Sequence, residues 1–203
     1  MKNKKWIILL IIAFPSLFWL ILETSTINSR KLPHYGPKKV IAAGDTLYYQ
    51  VPATPEIMSH AQVFCFLHPA HRSEAYRLAG FWEFEKYKKD KISEIPFHFI
   101  YPQAHDNIKV PEELRDLLIL PGIRFESLNE AQYQAMREAY FRGKPYYIDP
   151  GFFVLIDGNQ HIRGYYDMRY ASEMKRLVEE YRHLRLKEEK QKLIQDNEIK
   201  SRS

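Results

Sequence analysis

Cysteine is nearly missing from this chain: Cys65 is the only one in 203 residues. A lone thiol excludes an intramolecular disulfide, a Cys-x-x-Cys redox pair and any cysteine-rich zinc site. Also missing are a Gly-rich phosphate loop, a Ser-His-Asp ordering and paired catalytic carboxylates, so hydrolase and nucleotide chemistry have no foothold. No residue is assigned a catalytic role and no enzyme activity is expected. A basic patch on the body of the protein is lacking as well. The net charge is +5, but residues 1–40 carry +6, residues 41–170 carry −3 and residues 171–203 carry +2. The excess therefore flanks the N-terminal apolar segment instead of forming a surface for nucleic acid, and no nucleic-acid partner is expected.

What is present is a large apolar fraction, 45%, with 14 Tyr and 12 Phe. Such a chain can bury one respectable core, so disorder is not the expectation. Lys2, Lys4 and Lys5 precede residues 6–22, which hold 17 residues without a charge, at the short end of a bilayer span (~17–25 residues). No small-x-small site follows, and Trp6 and Trp19 sit near the ends, which favours a retained transmembrane anchor over a cleaved signal. The expected order is a cytoplasmic stub (1–5), an inner-membrane anchor (6–22), a linker (23–44) and an extracytoplasmic domain (45–185). A charged helical tail (186–203) follows.

Within the domain, Thr46 to Val51 alternates like a short strand, and residues 61–67 (Ala-Gln-Val-Phe-Cys-Phe-Leu) read as a central one. A helix capped by Ser73 is expected to run to about Lys88, with Tyr76, Ala79, Phe81, Trp82 and Phe84 as its apolar stripe. Residues 96–101 form another strand, and a helix begins at Pro111 and ends before Pro121. Residues 123–128 are again a strand, and Asn129 caps a helix through Tyr140. Residues 152–167 read as a hairpin turning at Asp157-Gly158. The last helix starts at Ala171, apolar at Met174, Leu177, Val178, Tyr181 and Leu184. This order predicts an α/β, thioredoxin-like fold with an inserted helix-strand-helix, preceded by one N-terminal transmembrane helix.

Three segments carry a resemblance. Phe153-Val-Leu-Ile-Asp-Gly-Asn-Gln-His-Ile-Arg-Gly-Tyr-Tyr-Asp167 is similar to the closing hairpin of the SCO/SenC family, membrane-anchored thioredoxin-fold proteins associated with copper delivery to cytochrome c oxidase. Leu32-Pro-His-Tyr-Gly-Pro37 with Asp45-Thr-Leu-Tyr48 resembles the family's lead-in to the domain. Residues 124–133 (Arg-Phe-Glu-Ser-Leu-Asn-Glu-Ala-Gln-Tyr) resemble its inserted strand-helix unit. The family's metal site is a Cys-x-x-x-Cys after the first core strand plus a histidine before the hairpin. Here His68 and Arg72 stand in the cysteine places and Asp149 in the histidine place.

The resemblance therefore implies a scaffold without its thiol chemistry: an accessory or assembly factor for a respiratory oxidase or another envelope complex, partnered by a membrane-complex protein and carrying no cofactor. The alternative is a metallochaperone. His68 and His71, at i and i+3 on a strand-to-helix turn, could share copper or another divalent metal with Asp149. Two imidazoles and a carboxylate suit Cu(II), Zn or Fe(II) better than Cu(I), while Arg72 would repel a cation. The plainer reading is that these are polar loop residues. Cys65, between Phe64 and Phe66, is expected to be an inert packing residue. His161 is expected to lie on the surface, Asp157-Gly158 to serve as turn chemistry, and the Asp149-Pro150 bond is a place where a cis isomer is conceivable.

Overall fold

The apolar run at residues 61–67 becomes the centre of the protein. In the computed structural model, which describes residues 32–41, 45–52, 60–67, 77–103 and 122–202, it forms strand β3 (Gln62–Phe66), buried along its whole length. A strand with no polar face needs cover on both sides. On one side it pairs in parallel with β4 (Phe97–Pro102), Cys65 beside Phe99, and β4 pairs in parallel with β5 (Ile123–Leu128). On the other side it pairs antiparallel with β6 (Phe153–Ile156), Phe64 beside Val154, and β6 turns back into β7 (Ile162–Tyr166). The sheet order is β5-β4-β3-β6-β7. The chain divides into two units, residues 1–32 and 33–203, and every element named here belongs to the second.

Helix α1 (Ala79–Ser93) lies between β3 and β4, α2 (Glu130–Tyr140) between β5 and β6, and α3 (Ala171–Arg202) closes the chain. Phe64 and Phe66 point to the α2 side, where they pack in one core with Tyr133, Tyr140, Val154 and Tyr165. On the opposite face Phe81 of α1 meets Phe97, Phe99 and Phe153 edge-on at centroid distances of 5.4, 5.9 and 5.6 Å. Such contacts add about 0.5–1.5 kcal/mol each to the area they bury. Two local expectations are met. Asn129 Oδ1 accepts the Gln132 amide at 2.9 Å to cap α2, and Met174, Leu177, Val178, Tyr181 and Leu184 are the buried stripe of α3.

Other expectations need correction. Helix α1 does not stop at Lys88: that residue breaks the helical backbone (φ −141°, ψ 39°), and the helix resumes to Ser93 so that Ile92 can be buried. Its buried side is carried by Leu78, Phe81 and Ile92, with Ala79 exposed. Lys38–Val40, expected in a linker, is strand β1, paired antiparallel with β2 (Thr46–Tyr48) in a small separate sheet. The Tyr35 amide donates to the Ile162 carbonyl at 3.0 Å, so part of that linker is docked on β7. The single-pass inner-membrane placement is also corrected: among the described residues no helix is long and apolar enough to cross a membrane. The 32-residue α3 has the length, but its charges lie all along it. Residues 6–22, Ser73 and the helix expected after Pro111 lie outside the described residues.

Candidate functional site

In this topology the C-terminal end of β3, the loop before β6 and the turn after β7 share one end of the sheet. Helix α1 starts at that rim, where the amides of Gly80 and Phe81 donate to the Met168 carbonyl at 2.9 and 3.2 Å. These are the otherwise unpartnered first donors of a helix, satisfied by the turn that follows β7. Asp149 sits on the loop before β6. Its Oδ1 accepts the Gly151 amide and Arg77 Nη1, both at 2.7 Å. Partial burial alone would raise the Asp149 pKa, but the Gly151 amide and the Arg77 guanidinium outweigh it and hold the carboxyl below its usual range. The Asp149-Pro150 bond is trans, with no cis bond among the described residues.

Beside Asp149 two aromatic side chains face solvent. Tyr146 is 96% exposed and Tyr147 65%, their rings edge-on at 5.5 Å. Tyr170, after β7, is also exposed, with the Arg169 guanidinium 5.7 Å from its ring centre. Arg169 is itself held by the carboxylate of Asp167. The loop before β6 and the turn after β7 thus carry exposed tyrosines, and the same two segments hold the Asp149–Arg77 and Asp167–Arg169 pairs.

Cys65 is 1% exposed, in the middle of β3. A Cu(I) centre of the Cys-x-x-x-Cys kind therefore does not fit these residues: the one thiol is packed into the sheet. Of the three metal-site residues expected from sequence, Asp149 lies at the rim, while His68 and His71 lie outside the described residues.

A second cluster, which sequence reading missed, gathers at the opposite end, around the β6–β7 turn. Asp157, buried at 6%, accepts the amides of Asn159 and His161 through Oδ1, both at 3.0 Å. Its Oδ2 accepts Arg163 Nη1 at 2.9 Å. The turn is longer than the expected two-residue Asp-Gly reversal, for it is Gln160 that carries positive φ (66°). His161 Nδ1 lies 3.4 Å from Asp157 Oδ1. His34 completes the group: its Nε2 accepts Arg163 Nη1 at 3.0 Å and its ring stacks on Tyr48 at 3.9 Å. Burial, with Arg163 and His161 beside it, pushes the His34 pKa down to about 4. The ring is therefore neutral near pH 7, its proton on Nδ1 because Nε2 accepts. With 129 positions between His34 and Arg163, no local pattern announces the cluster. The one available signal was a histidine beside a tight proline-glycine segment.

The two parallel and two antiparallel pairings about β3, with a helix crossing between β3 and β4 and another after β7, decide the fold. It is thioredoxin-like. No protein-family model and no curated protein matches the chain. Among solved structures it is similar to an SCO1/SenC family lipoprotein from Bacillus anthracis (14% identity, TM-score 0.49, covering 76% of this chain and 98% of that one). It is also similar to Bradyrhizobium japonicum ScoI with copper bound (12% identity, TM-score 0.44, 72% and 99%). A third is the thioredoxin domain of a thiol-disulfide oxidoreductase from Bacteroides vulgatus (11% identity, TM-score 0.41, 74% and 99%). At such identities the likeness concerns the fold alone.

Proposed function

We propose that this chain is a non-enzymatic, non-redox accessory protein on a thioredoxin-like scaffold, which docks a protein partner at the rim bearing Tyr146, Tyr147, Asp149 and Arg77. The observation that carries the reading is the contrast between a core-packed lone thiol and a rim that offers exposed aromatic rings beside a fixed ion pair. Aromatic residues supply much of the binding energy at protein interfaces, and two adjacent exposed tyrosines support a contact surface there. The hairpin's resemblance to the SCO/SenC family supports a respiratory oxidase or another envelope complex as the partner, in an assembly role.

The test is copurification of the tagged full-length chain from its native source, wild type against a Tyr146→Ser/Tyr147→Ser variant. A specific complex retained by the wild type and by Cys65→Ala, and lost from the double variant with its circular dichroism unchanged, supports the reading. Loss of function or capture in Cys65→Ala alone would replace it with thiol chemistry. Tight copper binding that requires His68 and His71, with no captured protein, would replace it with the metallochaperone reading.

A further inference from the structure

The His34-Asp157-His161 cluster is built like a cation site that already holds a cation. One donor atom from each of the three residues falls within 4.8 Å of the others. A tetrahedral ion with bonds of about 2.0–2.1 Å sets its ligand atoms about 3.3 Å apart. The His161 Nδ1 to Asp157 Oδ1 separation of 3.4 Å already meets that spacing. Arg163 Nη1 lies 3.0 Å from His34 Nε2 and 2.9 Å from Asp157 Oδ2, the carboxylate oxygen other than the one facing His161, so a guanidinium already bridges two of the three residues. Outer support is present as well. Tyr48 stacks on the His34 ring, and the amides of Asn159 and His161 hold the Asp157 carboxylate.

We propose that His34, Asp157 and His161 form a divalent-cation site for Cu2+ or Zn2+, gated by Arg163. Two imidazoles and one carboxylate, without sulfur, select these ions over Cu+, and the nitrogen donors select them over Mg2+ and Ca2+. Binding is an exchange: the guanidinium swings out as the ion enters, so two like charges never share the seat. The ion then ties the segment around His34 to the β6–β7 turn. This site lies at the other end of the sheet from the docking rim and stands or falls independently of it.

The experiment titrates the full-length, chelator-stripped chain with ZnCl2 and CuCl2 by calorimetry, with Co2+ absorption as a coordination signature. The expected result is one ion per chain, weakened tenfold or more by His34→Gln and by His161→Gln. Arg163→Gln, which removes the competing cation, tightens Zn2+ binding tenfold or more, and His68→Gln/His71→Gln leaves it unchanged. Should Arg163→Gln fail to fold, the two histidine variants decide alone. Absence of saturable binding, or binding abolished by the His68→Gln/His71→Gln variant and indifferent to His34 and His161, overturns the proposal.

Discussion

Glu188 holds the β6–β7 turn through Gly158: its Oε1 accepts the Gly158 amide at 2.9 Å. The other oxygen accepts the Ala61 amide at 3.1 Å, at the entrance to β3. One carboxylate on α3 thus fastens the hairpin to the central strand, in a stretch whose composition reads as a solvated tail. Charge-assisted hydrogen bonds of this kind are worth about 1.5–3 kcal/mol. Glu188→Ala is therefore expected to cost about 2–3 kcal/mol in urea unfolding, with Glu188→Gln between it and the wild type. Ending the chain after residue 185 should cost at least as much, whereas ending it after residue 192 should cost little.

At the other end, Gly80 allows α1 to touch the turn after β7. A Cβ at this position would come within 2.4 Å of the Tyr170 carbonyl carbon, and that neighbour is backbone, with no side chain to rotate away. The Gly80 amide is at the same time donated to Met168, so the helix cannot back off without losing that bond. Gly80→Ala is expected to destabilise by about 3 kcal/mol or more, although alanine is the better helix former. A thermal melt unchanged by the substitution would contradict this packing.

The depressed pKa of His34 has a consequence for stability. Its folded value, about 4, lies below the unfolded value of 6.5, so the unfolded chain binds the proton more readily between them. The contribution of His34 is fully present above pH 6.5 and is lost as the pH falls through 4. Urea midpoints measured from pH 7.5 to 4 should decline for the wild type. The decline should be shallower for His34→Gln, which keeps an acceptor for Arg163 but has nothing to protonate.

Cys65 offers a kinetic check on the non-redox reading. With the thiol 1% exposed between β4 and β6, reaction with a thiol-specific reagent should proceed only as fast as the sheet opens. The expected outcome is slow labelling in native buffer, stoichiometric labelling in denaturant, and a rate that rises in step with destabilising substitutions such as Gly80→Ala. Prompt labelling of the native chain would mean that the thiol is accessible.

Much of the scaffold was legible because it is written in short range. A run of apolar residues announces β3, and Asn129 followed by an amphipathic stretch announces α2. The spacing of Met174, Leu177, Val178 and Tyr181 announces the inner face of α3. Each signal depends only on residues within a few turns of one another. The expected end of α1 falls short because the helix continues past the break at Lys88 and buries Ile92, eleven positions after Phe81 and so on the same face. Nothing in the local sequence marks that break.

The sites divide in the same way. Sequence by itself determined that an intramolecular disulfide is excluded, because the chain has one cysteine, and that Asp149 stands before the closing hairpin. Only the tertiary structure decided that Asp149 is bound to Arg77 and that Glu188 belongs to the body. It also brought His34, beside the edge strand β7, to Asp157, His161 and Arg163. The reason is physical: helices and strands are chosen by neighbours along the chain, whereas an ion pair or a ligand set is chosen by which distant surfaces the sheet order presses together.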